Sequence, residues 1–171
     1  SGSYVAAHGV GTQVEHVSIS AGTQHHGMCA ETLQFAGEQI ARDEHVQVIL
    51  PISEETLYAS YLQARLPDVM VFTMPPDVLH QAHDKWRFAE QAKALSLSVP
   101  TTARADEVQA RVIAERADFV WKERRSCGGG GTKLLSQGVP FEPSDQAIVQ
   151  ERILGDELSS CSLCYKGVVR G

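Results

Sequence analysis

Apolar residues along the chain alternate between short continuous runs and helix-like segments. Residues 46–50 and 69–72 are mostly apolar, as in strands that are covered on both faces. Over residues 29–41 apolar positions recur at helical spacing, and a second helix is predicted over residues 54–65. Residues 16–20 are a shorter strand candidate. The order strand, helix, strand, helix, strand predicts an α/β fold with a parallel sheet, which binds ligands at the carboxyl ends of its strands.

Further elements follow a proline-rich break at residues 75–77. A helix is predicted over residues 84–95, with Asp84 as its N-cap. Residues 118–122 are a predicted strand, and Leu134-Leu135 is its candidate partner across a glycine-rich loop. This pattern indicates a hairpin with an unusually long tip.

Composition and charge narrow the class of protein. The chain has 171 residues, 43% of them hydrophobic and 21% charged, which is typical of a globular protein with a core. A net charge of −6 argues against a nucleic-acid partner. No apolar stretch is long enough for a membrane span, and the opening residues lack a signal-peptide pattern. We therefore expect a cytoplasmic protein with no membrane partner.

The four cysteines are few and unevenly spread, which favours reduced thiols. Cys161 and Cys164 have the spacing of a zinc-binding pair. A strand is predicted over residues 158–165, however, and positions three apart on a strand point to opposite faces. No second Cys or His pair follows. We therefore expect no metal site there.

The strongest chemical signal is a run of four glycines, Gly128, Gly129, Gly130 and Gly131. Ordering four glycines costs much backbone entropy, so a folded protein keeps such a loop where its backbone approaches a ligand or moves over it. Free N–H groups in a glycine loop can hold phosphate oxygens. Cations flank this loop on both sides, with Lys122, Arg124 and Arg125 before it and Lys133 after it. A floppy hairpin tip with solvated charges is the alternative. A Walker A motif is excluded, because Thr132 precedes Lys133 and Leu134 follows it.

Taken in order, these elements resemble the ATP-grasp superfamily, most closely its carboxylate–amine ligases, with D-alanine–D-alanine ligase and carbamoyl-phosphate synthase as familiar members. The matching segments are His-Asp-Lys-Trp-Arg-Phe at 83–88, Val-Pro-Thr-Thr at 99–102, Phe-Val-Trp-Lys at 119–122 and Val-Gln-Glu-Arg-Ile-Leu-Gly-Asp-Glu-Leu-Ser at 149–159. Each segment is short. Their order and spacing over residues 46–171 make the resemblance specific.

The resemblance implies three parts. Residues 1–98 would form a Rossmann-like α/β domain that precedes the ATP-grasp fold. Residues 99–145 would form its lid subdomain, an α+β unit with the glycine-rich loop. Residues 146–171 would begin the second ATP-grasp lobe, with the fold truncated at that point.

The resemblance also implies roles for single residues. Lys122 corresponds to the strand lysine that reaches the α- and β-phosphates of ATP, and Lys85 to the lysine that joins it from the opposite side. Glu151 corresponds to the carboxylate that faces the adenine amino group, and the backbone of Ile153 to the group at the adenine edge. Glu157 corresponds to the acid that accepts both ribose hydroxyls.

Two positions depart from the family pattern. Glu123 stands where most relatives have proline, and an acid beside phosphates would weaken binding unless it points away. Cys127 is unusual so near the lid, and only its small size offers an explanation.

The implied reaction of the complete enzyme activates a small-molecule carboxylate with ATP as an acyl phosphate, which an amine or another nucleophile then captures. Mg²⁺ would assist, with ligands expected beyond Gly171, so the chain by itself is not expected to be active and no catalytic residue is assigned. An ATP-binding module without chemistry is the alternative. A homodimer is a candidate assembly, and the sequence does not name either substrate.

Overall fold

A computed structural model of the chain describes residues 4–7, 30–51, 55–126, 130–165 and 167–170. These residues form a mixed α/β structure of helices and sheets. The predicted strand at 16–20 lies outside the described residues. The chain divides into two compact units, the first made of residues 1–99 and 123–131, the second of residues 100–122 and 132–171.

The elements of the first unit, in chain order, are β1 Tyr4–Ala7, α1 Ala30–Asp43, β2 Val48–Pro51, α2 Glu55–Ala59, α3 Leu62–Arg65, β3 Met70–Val71, α4 Pro76–His83 and α5 Lys85–Ala94. Its strands form a three-stranded sheet in the order β1-β2-β3. Strands β2 and β3 are parallel, as predicted, but β1 pairs antiparallel to β2 and lies in the opening segment, where the sequence predicted no element.

The core of the first unit lies between its sheet and its first helices. Val46, Ile49 and Val71 from the sheet side are buried together with Leu62 of α3 and Ala59 of α2. Burial of these side chains removes apolar surface from water and is the main stabilising contribution in this unit.

The sequence pattern predicted that residues 46–50 and 69–72 are covered on both faces of their strands. Leu50, Met70 and Phe72 are exposed, so one face of β2 and β3 is covered and the prediction for the other face was wrong.

The helix predicted over residues 54–65 is interrupted. The structure has two short helices, α2 and α3, with a break at Ser60 and Tyr61. Ser60 Oγ donates a hydrogen bond to Leu57 O at 2.7 Å, and Leu66 ends α3 with its N–H bonded to Leu62 O. Serine hydroxyls compete with the backbone in this way, so the local polar residue weakens the continuous helix.

A helix also begins where the sequence predicted only a break. Pro76 occupies the first turn of α4, a position where a missing N–H costs nothing and the fixed φ suits a helix. The proline pair therefore starts a helix there, and α4 ends directly before the predicted helix at residue 84.

The elements of the second unit are β4 Thr102–Arg104, α6 Val108–Arg116, β5 Phe119–Glu123 except for its last residue, β6 Thr132–Leu135, β7 Ala147–Glu151, β8 Cys164–Tyr165 and β9 Val168–Val169. Four of its strands form a sheet in the order β4-β7-β5-β6. Strand β4 pairs antiparallel with β7, and β5 pairs antiparallel with β6.

Phe119 is the centre of the second core. Its side chain is fully buried, and its ring meets Phe141 edge-to-face with centroids 5.7 Å apart. Ile113 of α6 and Val149 of β7 are buried in the same unit. This packing fixes β5 against the helix and so sets the starting point of the glycine-rich hairpin.

The predicted hairpin is confirmed, with Phe119 opposite Leu135 and Lys122 opposite Thr132. The strand predicted over residues 158–165 is much shorter, because only Cys164 and Tyr165 are in a strand. The argument that Cys161 and Cys164 point to opposite faces of one strand therefore does not apply, because Cys161 is not in the strand. Among the described residues, however, no group of three His, Cys, Asp or Glu residues could hold a metal ion.

None of the helices in the described part of the chain is long and apolar enough to cross a membrane.

Candidate functional site

Asp84 starts helix α5. Its Oδ1 accepts hydrogen bonds from the N–H groups of Trp86 at 3.1 Å and Arg87 at 3.3 Å. These N–H groups have no partner within the helix, so the carboxylate satisfies them and also suits the positive end of the helix dipole. The prediction that Asp84 is the N-cap is confirmed.

The same carboxylate is bound by an arginine that is distant in sequence. Arg124 donates from Nε to Oδ1 of Asp84 at 3.1 Å and from Nη2 to Oδ2 at 2.7 Å. Asp84 is fully buried, and only 13% of the Arg124 side chain is exposed. Arg125 adds a longer contact of 3.4 Å to Oδ2 from a more exposed side chain. A two-point arginine–carboxylate pair of this kind is geometrically specific.

Sequence reasoning missed this pair. It treated Arg124 as one of several cations beside the glycine loop, and nothing in the local pattern connects it to a residue 40 positions earlier. The only signal was the Asp-Lys step in the segment resembling the ATP-grasp family, which marked Asp84 but gave it no partner.

The ionisation of Asp84 reflects two opposing effects. Burial raises the pKa of its carboxyl group. The hydrogen bond and charge of Arg124, with the backbone N–H groups of Arg87 and Trp86, more than offset burial and hold the pKa below its usual value. The carboxylate is therefore the stable form in the folded protein near neutral pH.

Lys85, a predicted phosphate ligand, contacts the entrance of the glycine loop. Its backbone N–H donates to Arg124 O at 3.0 Å. Its Nζ donates to Ser126 O at 2.6 Å and approaches Ser126 Oγ at 3.3 Å. The first turn of α5 thus holds residues 124–126 through both backbone and side-chain contacts, all within the first unit.

The glycine loop is described in part. Cys127, Gly128 and Gly129 lie outside the described residues. Gly130 is exposed, and Gly131 has a φ of +69°, where a side chain would be strained. A Cβ on Gly131 would also lie 2.8 Å from Cδ of Glu123. The left-handed backbone conformation at 131 therefore favours glycine, and an added Cβ would also displace the side chain of Glu123.

Lys122 and Lys133 occupy different environments in the second unit. Lys122 is partly buried in β5, opposite Thr132. The ammonium group of Lys133 lies over the ring of Trp121, 4.7 Å from its centroid. Trp121 is itself held by a hydrogen bond from Nε1 to Glu142 O at 3.2 Å. The cation–π contact gives Lys133 a structural role in the hairpin.

Residues 149–159, called the hinge segment from here on, begin in the last residues of β7. The Glu151 N–H donates to Thr101 O at 2.9 Å, and its Oε2 accepts from the N–H of Thr101 at 3.3 Å. Ile153 is 63% exposed, and Glu157 is exposed as well. All three predicted nucleotide ligands of this segment belong to the second unit, as does Lys122, whereas Lys85, Gly130 and Gly131 belong to the first.

A sequence profile of the ATP-grasp domain matches residues 82–170, just over half of the chain. The chain belongs to the ATP-grasp superfamily. The match begins two residues before Asp84 and ends within the last described segment, so the ATP-grasp region includes every candidate ligand named above. ATP-grasp proteins bind ATP, typically with Mg²⁺, and are generally ligases. No curated protein sequence matches the chain.

The Asp84–Arg124 pair is buried, so we expect a stronger energetic coupling between its two side chains than between those of an exposed ion pair in the same chain. We expect Asp84→Asn, which keeps a cap acceptor but removes the charge, to lower the free energy of unfolding by about 1.5–3 kcal/mol. A double-mutant cycle with Arg124→Gln, measured by urea unfolding, gives the coupling. The matched control is Asp118→Asn with Arg152→Gln, a pair 3.4 Å apart with side chains 51% and 40% exposed, for which we expect less than about 1 kcal/mol. Equal coupling energies in the two cycles would contradict the conclusion that burial strengthens the Asp84–Arg124 pair.

The pKa of Asp84 also predicts a pH dependence. Because its folded pKa lies below the unfolded value of about 3.9, its contribution is complete above that value and is lost as pH falls through the folded pKa. The difference in unfolding free energy between wild type and Asp84→Asn, measured from neutral pH down to about pH 3, should therefore shrink as pH falls below about 3.9. A difference that stays constant across this range would show that the charge of Asp84 does not matter.

Proposed function

We propose that this chain is the ATP-binding part of an ATP-dependent ligase that activates a small-molecule carboxylate as an acyl phosphate and joins it to an amine or another nucleophile. The observation that carries the proposal is the ATP-grasp match over residues 82–170. The matched residues include a lysine-bearing strand, a glycine-rich hairpin and an acidic hinge segment, in the order that the resemblance to ATP-grasp proteins implies.

The phosphates of ATP are the proposed ligand of the two lysines and the glycine loop. Lys122 lies in β5 next to the glycine loop, and Lys85 heads α5 beside the loop entrance. Gly131 has a φ of +69°, which favours glycine, and free N–H groups of a glycine loop can hold phosphate oxygens. We propose that Lys85, Lys122 and the four glycines at 128–131 hold the phosphates, the lysines acting as compact point charges.

The hinge supplies groups for the base and ribose. Glu151 already accepts from Thr101, but a carboxylate has about four acceptor positions and can also accept from an adenine amino group. Arg152 N bonds to Asp118 O, so the hinge begins beside the start of β5. Lys122 lies four residues further along β5, about 13 Å away along the strand. This separation suits a nucleotide lying lengthwise, with Ile153 and Glu157 at its base and ribose.

The family's larger architecture is part of the proposal. We propose that residues 1–98 form the Rossmann-like domain before the ATP-grasp fold, residues 99–145 its lid subdomain and residues 146–171 the start of the second lobe. Support for the first part comes from the parallel pair β2 and β3 with helices between them. A homodimer is proposed as the assembly, in a cytoplasmic setting.

Magnesium is not accounted for by the described residues, which contain no group of three acidic, His or Cys side chains able to hold a metal. No step is therefore assigned to a metal here. A second candidate function is an ATP-binding module of the same fold that performs no chemistry. Nucleotide binding is common to both candidates and is the property to test first.

Selectivity for adenine tests the hinge assignment. Guanine presents a carbonyl where adenine has its amino group, so Glu151 would face another acceptor. An unpaired buried polar group costs about 1–3 kcal/mol, or roughly 5- to 150-fold in affinity. Thermal-shift titrations should show stronger stabilisation by ATP than by GTP, and the preference should shrink in Glu151→Ala. Equal stabilisation by the two nucleotides would exclude the assignment.

Replacing Lys122 with alanine should weaken ATP binding by roughly 10- to 150-fold, because a charge-assisted contact to phosphate is lost. Adenosine binding should change little. The control is Lys133→Ala, whose ammonium lies over Trp121 and whose loss should mainly lower stability, by about 0.5–1 kcal/mol. Calorimetric titration of both variants with ATP and adenosine separates these effects. Normal ATP binding by Lys122→Ala with loss in Lys133→Ala would mean that the strand alignment is wrong.

A further inference from the structure

Arg124 and Arg125 are adjacent in the chain but lie in different surroundings. The Arg124 side chain is 13% exposed and binds both oxygens of the Asp84 carboxylate, at 3.1 and 2.7 Å. The Arg125 side chain is 58% exposed, and its contact with Asp84 Oδ2 is 3.4 Å long. That distance exceeds the usual range of about 2.7–3.2 Å for an N–H···O hydrogen bond. Arg124 is therefore held by the carboxylate, whereas Arg125 makes only a long ion-pair contact with it.

The Asp84 carboxylate has little left to offer Arg125. It already accepts from the N–H groups of Trp86 and Arg87 and from two nitrogens of Arg124. A carboxylate has about four acceptor positions. Two guanidinium charges share one carboxylate charge here, so this contact does not offset all of their positive charge. The exposed guanidinium of Arg125, which makes no shorter contact within the described part of the chain, is suited to bind an anion from solution.

The backbone on both sides of Arg125 is anchored to the first turn of α5. Arg124 O accepts from the N–H of Lys85 at 3.0 Å, and Ser126 O accepts from Lys85 Nζ at 2.6 Å. The backbone of Arg125, between these two contacts, is thereby held next to Lys85. Two cationic residues are thus brought together at the loop entrance, both within the first unit.

A chain of phosphate groups matches this pair of cations well. A guanidinium group presents its N–H groups as a planar fork that binds phosphate oxygens at two points, and an ammonium group acts as a compact point charge. Linked phosphates can contact the two groups with separate oxygens. Such a chain also carries more negative charge near neutral pH than one carboxylate does.

We infer that Arg125 binds a phosphate chain together with Lys85, while Arg124 only holds the loop entrance on Asp84. The inference rests on the proposed function, in which the phosphate chain belongs to ATP. It gives the two neighbouring arginines separate roles, one as a ligand and one as an anchor.

Calorimetric titrations of the full chain with ATP and with tripolyphosphate, which lacks base and ribose, test the inference. Arg125→Gln should weaken binding of both ligands by roughly 2- to 12-fold, the effect of losing one ordinary hydrogen bond. Its urea-unfolding midpoint should stay that of wild type, because the side chain is exposed, whereas Arg124→Gln should lower the midpoint. The matched control is Arg65→Gln. Arg65 is 48% exposed, with a 3.4 Å contact to Glu38, and its replacement should change neither affinity.

The outcomes separate this inference from the proposed function. Equal ATP affinity of wild type and Arg125→Gln would overturn the inference and leave the proposed function standing. Binding of tripolyphosphate but not of ATP by wild type, weakened in Arg125→Gln, would support the inference and overturn the proposed function. Binding of neither ligand would overturn both.

Three further results would also refute the assignment. An equal loss of affinity in Arg65→Gln would show that only the overall charge matters. A lowered unfolding midpoint in Arg125→Gln would show that Arg125 is an anchor like Arg124. Citrate, a tricarboxylate, should bind more weakly than tripolyphosphate, and tighter binding of citrate would show that the two cations select carboxylates instead of phosphates.

Discussion

The buried carboxylate of Asp84 is the contact on which the start of α5 and the entrance of the glycine loop both depend. It accepts two backbone N–H groups of α5 and two N–H groups of Arg124, which accounts for the acceptor positions that two carboxylate oxygens offer. The helix start and the entrance of the glycine loop are thus tied to one buried charge. Removing one partner of a buried ion pair is generally costlier than replacing both, because the remaining charge loses its main counter-charge.

The entrance of the glycine loop is anchored by the first turn of α5. Arg124 is bound by Asp84, and Ser126 accepts a hydrogen bond from the ammonium of Lys85. On the other side of the loop, the side chain of Glu123 lies close to Gly131, where a side chain would displace it.

Sequence patterns predicted the elements whose causes are local. The hairpin around the glycine loop, the N-cap at Asp84 and the positions of strands β2 and β3 each follow from residues adjacent in the chain. The prediction that β2 and β3 are covered on both faces was wrong, because Leu50, Met70 and Phe72 are exposed. The break at Ser60 and the start of α4 at Pro76 were missed, because one hydroxyl and one proline position decided them against the longer-range pattern. The Asp84–Arg124 pair could not be predicted, since 40 residues separate its partners and only the fold brings them together.

Lys85 connects the anchored loop to the proposed chemistry. Its ammonium now donates to a neutral carbonyl, Ser126 O, at 2.6 Å. A phosphate oxygen carries negative charge, so it would compete with this neutral carbonyl for the ammonium through Coulomb attraction. The backbone bond from Lys85 to Arg124 and the Asp84 pair do not involve the ammonium and would persist through such an exchange. The loop entrance can therefore stay in place while the ammonium changes partners, because Arg124 remains bound by the Asp84 carboxylate and by the backbone of Lys85.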